Sequence, residues 1–217
     1  MALNSLLKVN RRGGSSDGQE VTLRANEYDE LLTAQGLPAY TEITRKGLGF
    51  TVQTSTLFAP LTAVPTTTAA LEVWNQTTSG VDLVIDTLYA EQILATAAAQ
   101  SFAIFAMVTV PKAVPSLTAL SIVSPSGQAS YTPTVGTPIV TGVGTTVVAN
   151  GWRPWGMPIA NGTAAATPMN SWHAEVNGRL IVPPGCSLCL HVVGSLATAS
   201  SFHVGVSGYS VAIDTAT

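Results

Sequence analysis

The segment Val81-Asp-Leu-Val-Ile-Asp-Thr-Leu-Tyr89 alternates apolar and polar side chains along most of its length. Because side chains in a strand repeat every two residues, the pattern predicts the odd-numbered residues from Val81 to Tyr89 on one face, with Asp82 and Asp86 on the other. Such alternation is typical of an antiparallel sheet that packs one face against a core. The segment therefore predicts a half-buried β-strand in an all-β protein.

Similar runs rich in Val, Thr and aromatic residues recur after Phe50, and turns containing Pro, Gly, Ser or Asn separate them. We predict further strands at 50–58, 71–75, 102–110, 139–149, 172–182, 186–193 and 202–213. The run 102–110 is apolar on both faces, which predicts a strand covered on each side. The Ala-rich segment 90–100 is the one helical candidate in this part of the chain. About eight antiparallel strands predict a β-sandwich, and among sandwiches a jelly roll.

The stretch 124–170 is predicted to be loop apart from the strand at 139–149, and it contains Gly151-Trp-Arg-Pro-Trp-Gly156. The aromatic residues of this stretch and of the next strand include Tyr131, Trp152, Trp155 and Trp172. They have two interpretations: a platform on which sugars stack, or rings that anchor the loop to the sandwich or to a neighbouring subunit. We favour the anchoring role, in which Arg153 supplies a cation–π or ion-pair contact.

Charge is scarce and unevenly distributed. Only 10% of the residues are charged, 46% are hydrophobic, and 12 of the 21 charges fall in the first 50 residues. This composition excludes intrinsic disorder, and the longest apolar run, 102–110, is too short to span a membrane. The net charge of −3 gives no general attraction for nucleic acid. A free monomer usually covers itself in mixed charge, so we expect the body to face other protein, in preference to a secreted-type protein coated with Thr and Ser.

Residues 1–49 are predicted to form an extended N-terminal arm, and residues 50–217 the sandwich. The segment Arg11-Arg-Gly-Gly-Ser-Ser-Asp-Gly18 has the composition of a flexible linker. The arm has too little apolar side-chain surface to fold alone. We expect it to become ordered against a neighbour or against its own body.

The residues that could carry chemistry do not form a known motif. His173, His191 and His203 are predicted on three strands, without a nucleophile elbow, a zinc-protease helix or a phosphate loop. Cys186 and Cys189 are three residues apart, which places their sulfurs on opposite faces of a strand, and no second pair completes a zinc site. We predict two buried, reduced thiols, no metal, no cofactor and no enzymatic activity. With no secretion signal recognised, we expect a reducing cytosol.

Two parts of the chain carry a further pattern. The first is Arg24-Ala-Asn-Glu-Tyr-Asp-Glu-Leu-Leu32 leading to Gly49-Phe-Thr-Val52, and the second is Leu180-Ile-Val-Pro-Pro-Gly-Cys-Ser-Leu-Cys-Leu-His-Val192 followed by Ser201-Phe-His-Val-Gly-Val-Ser-Gly-Tyr209. They resemble the N-terminal region and the closing strands of small structural proteins of tailed bacteriophages. Those proteins are jelly-roll virion components of the capsid decoration or cement type. The sequence departs from their pattern at Cys186, where a small residue such as Gly is expected, and in its charge-poor tail.

The resemblance implies a non-enzymatic decoration protein, made in the bacterial host cytoplasm, that binds across major capsid protein subunits on the outer surface of the virion as a homotrimer. It has no nucleic-acid or membrane partner. Capsid or subunit contacts are then expected from Arg11, Arg12, Arg24, Tyr28, Trp152, Arg153 and Trp155. The alternative is a tail or fibre component that recognises host-surface glycans through the loop from Trp152 to Trp172. A cell-envelope hydrolase is the third hypothesis.

Overall fold

The structure, a computed structural model, describes residues 6–8, 20–22, 40–66, 68–95, 99–110, 120, 122–125, 140–142, 151–161, 170–196 and 200–213. Their elements are β1 (Leu6–Lys8), β2 (Glu20–Thr22), α1 (Thr41–Arg45), β3 (Gly49–Gln53), β4 (Leu71–Trp74), β5 (Val81–Leu94), β6 (Gln100–Thr109), β7 (Ile122–Val123), β8 (Val140–Gly142), β9 (Arg153–Asn161), β10 (Ser171–Val182), β11 (Ser187–Gly194) and β12 (Ser201–Ala212).

The chain divides into two compact units, Met1–Ala39 and Tyr40–Thr217. In the first unit β1 and β2 pair antiparallel. The predicted contact residues Arg11, Arg12, Arg24 and Tyr28 lie outside the described residues. The second unit begins at Tyr40, whereas the predicted sandwich begins at Phe50. Its first residues join the body directly, since Leu48 accepts a backbone hydrogen bond from Ser210 at 3.0 Å.

The second unit contains two five-stranded antiparallel sheets. The β5 sheet has the strand order β10-β5-β12-β3-β7, and the β11 sheet has the order β8-β4-β11-β6-β9. Side chains from both sheets form the main core, where the ring of Phe102 meets that of Phe202 at 4.8 Å. The predicted all-β, antiparallel two-sheet architecture is therefore confirmed.

The pairing follows a regular order among the strands of four or more residues in the second unit, namely β3, β4, β5, β6, β9, β10, β11 and β12. The first of these pairs with the last, the second with the seventh, the third with the sixth, and the fourth with the fifth. The short strands β7 and β8 each extend one sheet edge. The segment between β3 and β4 crosses from one sheet to the other. Phe58 forms a β-bridge with Phe202 of β12, and Leu61 forms one with Val193 of β11.

The predicted faces of β5 are right for its first half and wrong for its second. Val81, Leu83 and Ile85 are buried in the core, as predicted. The register with β12 then slips, so that Ser207 opposes Thr87 while Gly208 opposes Ile85, and Asp86 is the extra residue of a β-bulge. One inserted residue moves every later side chain to the other face. Leu88, Ala90 and Gln92 therefore take the buried positions, and Thr87 and Tyr89 lie on the outer face.

The helical candidate at 90–100 is wrong for residues 90–94, which continue β5. Ala90 pairs with both Trp172 and Val204, and its side chain is fully buried. Cross-strand packing on both sides outweighs the modest helix propensity of Ala. Of the predicted strand at 139–149, only 140–142 lies within the described residues.

The segment predicted as a loop around Trp152 is also corrected, because 153–161 forms β9. Pro154 and Pro158 weakened the strand pattern in the sequence. Both are tolerated because β9 is at the edge of its sheet, where a missing N–H breaks no ladder. Gly156 brings β9 against β10: a Cβ at this position would lie 3.0 Å from that of Ala174.

Candidate functional site

The three tryptophans singled out from the sequence are packed inside their own chain. Trp152 is only 4% exposed and belongs to a second small core cluster, on the outer side of the β11 sheet, together with Ala69, Met107 and Cys189. Trp155 packs against the main core, and Trp172 sets its ring edge-on to Phe202 at 5.7 Å. Rings covered in this way do not form an open platform for a sugar.

The cation near these rings is not the predicted one. Arg153 is exposed and its Nη1 donates to the carbonyl oxygen of Trp152 at 2.9 Å. The guanidinium over the Trp155 ring, 5.6 Å from its centre, is that of Arg179. Trp155 lies in β9 and Arg179 near the end of β10, far apart in the sequence, so only the contact between these two strands reveals the pair.

The two cysteines lie in different clusters. Cys186 packs against the main core, whereas Cys189 is fully buried in the second cluster. Burial raises the pKa of both thiols, and the charge of Glu72 opposite Cys189 raises that of Cys189 further. Both are free thiols held in the protonated form, and protonated thiols are poor nucleophiles.

The three histidines have separate structural contacts. His191 shares the outer face of β11 with Cys189; it is almost fully buried, with Nδ1 2.9 Å from the carbonyl oxygen of Val192 and the Phe58 ring edge-on at 5.1 Å. Burial lowers the pKa of His191. His173 lies beside the Tyr89 ring, and Nδ1 of His203 lies 3.3 Å from the Thr54 hydroxyl. Among the described residues, no three His, Cys, Asp or Glu side chains are grouped so as to hold a metal ion.

A different site, which was not predicted from the sequence, lies on the outer face of the β5 sheet. A cavity of about 180 Å³ is lined by the two tyrosines Tyr40 and Tyr209, by Asp86, and by neighbouring residues of α1, β3 and β12. A second cavity of about 540 Å³ adjoins it. The two share Thr51 and Pro125, and together we name them the β5 groove.

Hydrogen bonds fix one end of the β5 groove. The Tyr40 hydroxyl donates to Oδ1 of Asp86 at 2.7 Å, and the Thr87 hydroxyl donates to Oδ2 at 3.2 Å. The rings of Tyr40 and Tyr209 lie 5.7 Å apart at 46°. The bond to Asp86 raises the pKa of Tyr40 to about 12, because the phenol proton is held by a carboxylate. Tyr40 has a φ of 70°, a conformation that a non-glycine residue adopts only when its surroundings hold it.

The other end of the β5 groove is formed by Tyr89 and its neighbours. The Tyr89 ring lies across β12 directly above Gly205, where any Cβ would overlap it. Its hydroxyl donates to the carbonyl oxygen of Val52 at 3.4 Å and reaches Oε1 of Gln53 at 3.5 Å. Burial, with a smaller effect from the charge of Glu91, raises the pKa of Tyr89 to about 12. Because Gly205 has no side chain, the Tyr89 ring can lie directly on the backbone of β12.

Charge differs between the two sheets. The outer face of the β5 sheet carries four carboxylates, those of Asp82, Asp86, Glu91 and Glu175. Among the described strands of the β11 sheet the charged residues are Glu72, which is fully buried, and Arg153 at the edge. Among the described strands, the exposed carboxylates are therefore concentrated on the outer face of the β5 sheet.

No protein-family model, no curated protein and no solved structure matches this chain. Among the described residues there is no helix with the length and apolar character needed to cross a membrane.

Proposed function

We propose that the chain is a non-enzymatic structural protein of a tailed-bacteriophage particle, a decoration or cement protein that binds across major capsid protein subunits. In this proposal it is made in the bacterial host cytoplasm, assembles as a homotrimer on the outer capsid surface and stabilises the head shell. The observation that carries the proposal is the scarcity of charge in the chain, only 10% of its residues, together with the exposed edge strand β9, on which Met157 is 83% exposed.

The strand pairing supports a jelly-roll fold for this protein. In a jelly roll, eight strands pair first with last, second with seventh, third with sixth and fourth with fifth, as one long antiparallel ribbon rolled into two sheets. The strands β3, β4, β5, β6, β9, β10, β11 and β12 pair in this order. The short strands β7 and β8 are additions at the edges.

The charge distribution supports subunit packing. Among the described strand residues of the β11 sheet, only Arg153 exposes a charge, and Met157 on the same edge strand is 83% exposed. An exposed apolar edge such as that at Met157 gains about 25 cal/mol for each Å² of apolar area that a partner covers. Many copies around a shell add these small contributions as avidity.

The structure refines the roles of the contact residues in this proposal. Trp152 and Trp155 hold β9 in place from inside, so Arg153 and Met157 are the side chains of β9 that face a partner. In the arm, Arg11, Arg12, Arg24 and Tyr28 supply the remaining contacts. The arm is the basis of the sharpest test.

Deleting residues 1–39 should leave a folded sandwich and abolish binding to capsids, measured by co-sedimentation with phage heads that lack the chain. The cut at 39 keeps Tyr40 and its bond to Asp86, so circular dichroism should match the full chain. Arg153→Glu should weaken co-sedimentation, whereas Glu175→Lys on the opposite sheet should not. Undiminished binding by the truncated chain, or its location on the tail in electron micrographs of intact particles, would contradict the proposal.

A further inference from the structure

The β5 groove has no part in the proposed capsid contact, and its chemistry points to a ligand. We infer that it binds a neutral oligosaccharide, held against the exposed faces of the Tyr40 and Tyr209 rings and hydrogen-bonded by Asp86. This inference does not depend on the proposed function.

The tyrosine pair supplies apolar faces that water reaches. Tyr40 is 43% exposed, and Tyr209 is partly exposed beside it, with the two rings inclined at 46°. A pyranose ring has one face made of C–H groups, and covering that face with an aromatic ring removes apolar surface from water. Tyr40 is held in this position against its backbone preference by the bond to Asp86, so the ring pair is preorganised.

Asp86 supplies a fixed acceptor at the same end. As the extra residue of the β5 bulge, it lies on the outer face, where each of its carboxylate oxygens accepts one hydrogen bond. A carboxylate oxygen has two acceptor positions, so each oxygen keeps one for a ligand. Two adjacent sugar hydroxyls can donate to such a pair, and hydrogen bonds to a charged acceptor are the stronger kind.

Neutral polar groups line the rest of the β5 groove. The hydroxyls of Thr51 and Ser207 lie 3.1 Å apart, and the larger cavity adds side chains that both donate and accept. Its polar lining consists of Thr51, Gln53, Ser55 and Tyr89. The larger cavity alone, at about 540 Å³, lies within the range of about 300–1,000 Å³ of small-molecule sites.

The same features disfavour other ligand classes. An anion would be repelled by Asp86 and by the other carboxylates of this face. A cationic group could sit between the tyrosines and Asp86, but the neutral lining beyond Thr51 would then have no role. A chain of neutral sugars uses both ends of the groove, which is why we assign that class.

The test is a binding survey of the full chain on an array of neutral, acidic and amine-bearing oligosaccharides, followed by calorimetric titration of the best ligand. We expect binding to a neutral oligosaccharide, weakened at least tenfold by Tyr209→Ala and by Asp86→Asn. Glu175→Gln, on the same face outside the groove lining, is the matched control and should bind like the wild type. Trp155→Phe should also leave binding unchanged.

Several results would overturn the inference. The wild-type chain could fail to bind any neutral oligosaccharide, or it could bind only acidic or amine-bearing ligands. Alternatively, Tyr209→Ala and Asp86→Asn could both bind the neutral ligand as well as the wild type does. If Tyr209→Ala fails to fold by circular dichroism, Asp86→Asn and Thr51→Ala decide the outcome, because the first changes a carboxylate to an amide, the second removes a hydroxyl, and neither opens the core.

Discussion

The two sheets share one core, yet their outer faces are built in opposite ways. On the β11 sheet the outward side chains of β11 are themselves buried: Ser187 and Cys189 are fully covered and His191 is 5% exposed. On the β5 sheet the outward residues of β12 are half-exposed, and the face carries carboxylates and the β5 groove. The comparison shows that one side of this sandwich is built as a second core layer and the other as a surface that meets solvent.

The largest expected effect comes from placing a charge on each outer face. Cys189→Asp should destabilise the protein by about 3 kcal/mol or more, because a buried carboxylate is desolvated beside Glu72. Ser171→Asp, outward on β10, should cost less than about 1 kcal/mol, since only the like charge of Glu91 opposite opposes it. Urea denaturation measures both. Equal losses would show that the two outer faces are not different in kind.

The sequence predicted most strands because alternation and turn residues are local signals. It also indicated a strand covered on both faces: 102–110 is apolar at nearly every position, and in the structure Met107 is buried on the outer side. The predicted role of the tryptophans as anchors to the sandwich agrees with their burial. These features depend on residues close together in the chain.

The β5 groove could not be predicted in this way. Tyr89 reaches the outer face only because of a bulge, and a bulge depends on the register of three strands at once. Tyr40 falls in the segment assigned to the arm, and Tyr209 lies far from it along the chain. β9 was missed for a similar reason: prolines argue against a strand unless one knows that the strand is at an edge.

A smaller effect is expected on the outer face of the β5 sheet, where the Tyr89 ring covers the backbone of β12. Gly205→Ala should displace the Tyr89 ring from its position on the backbone of β12 and lower the free energy of unfolding by about 1–3 kcal/mol. In a Tyr89→Ala background the same substitution should cost less than about 0.5 kcal/mol, since the obstacle is gone. A double-mutant cycle by urea denaturation gives the coupling. Additive losses would mean that Gly205 is required for another reason.

The smallest effect is the pH dependence, in which His191 on the β11 sheet weakens the fold at acid pH, while Tyr40 and Tyr89 on the β5 sheet, together with the buried thiols, weaken it at alkaline pH. Burial lowers the pKa of His191, so its neutral form stabilises the fold fully above the unfolded value of 6.5, and this contribution is lost as the pH falls through the folded pKa. The pKa values of Tyr40 and Tyr89 are raised from 10 to about 12, so their contribution is present below pH 10 and is lost between 10 and 12. One proton changes the unfolding free energy by at most about 1.4 kcal/mol per pH unit. His191→Gln should therefore flatten the acid limb alone and Tyr89→Phe the alkaline limb alone, as measured by urea denaturation across the pH range. If His191→Gln left the acid slope intact, the outer side of the β11 sheet would have to admit water to the imidazole, and the distinction between a covered and an open face would fail at that position.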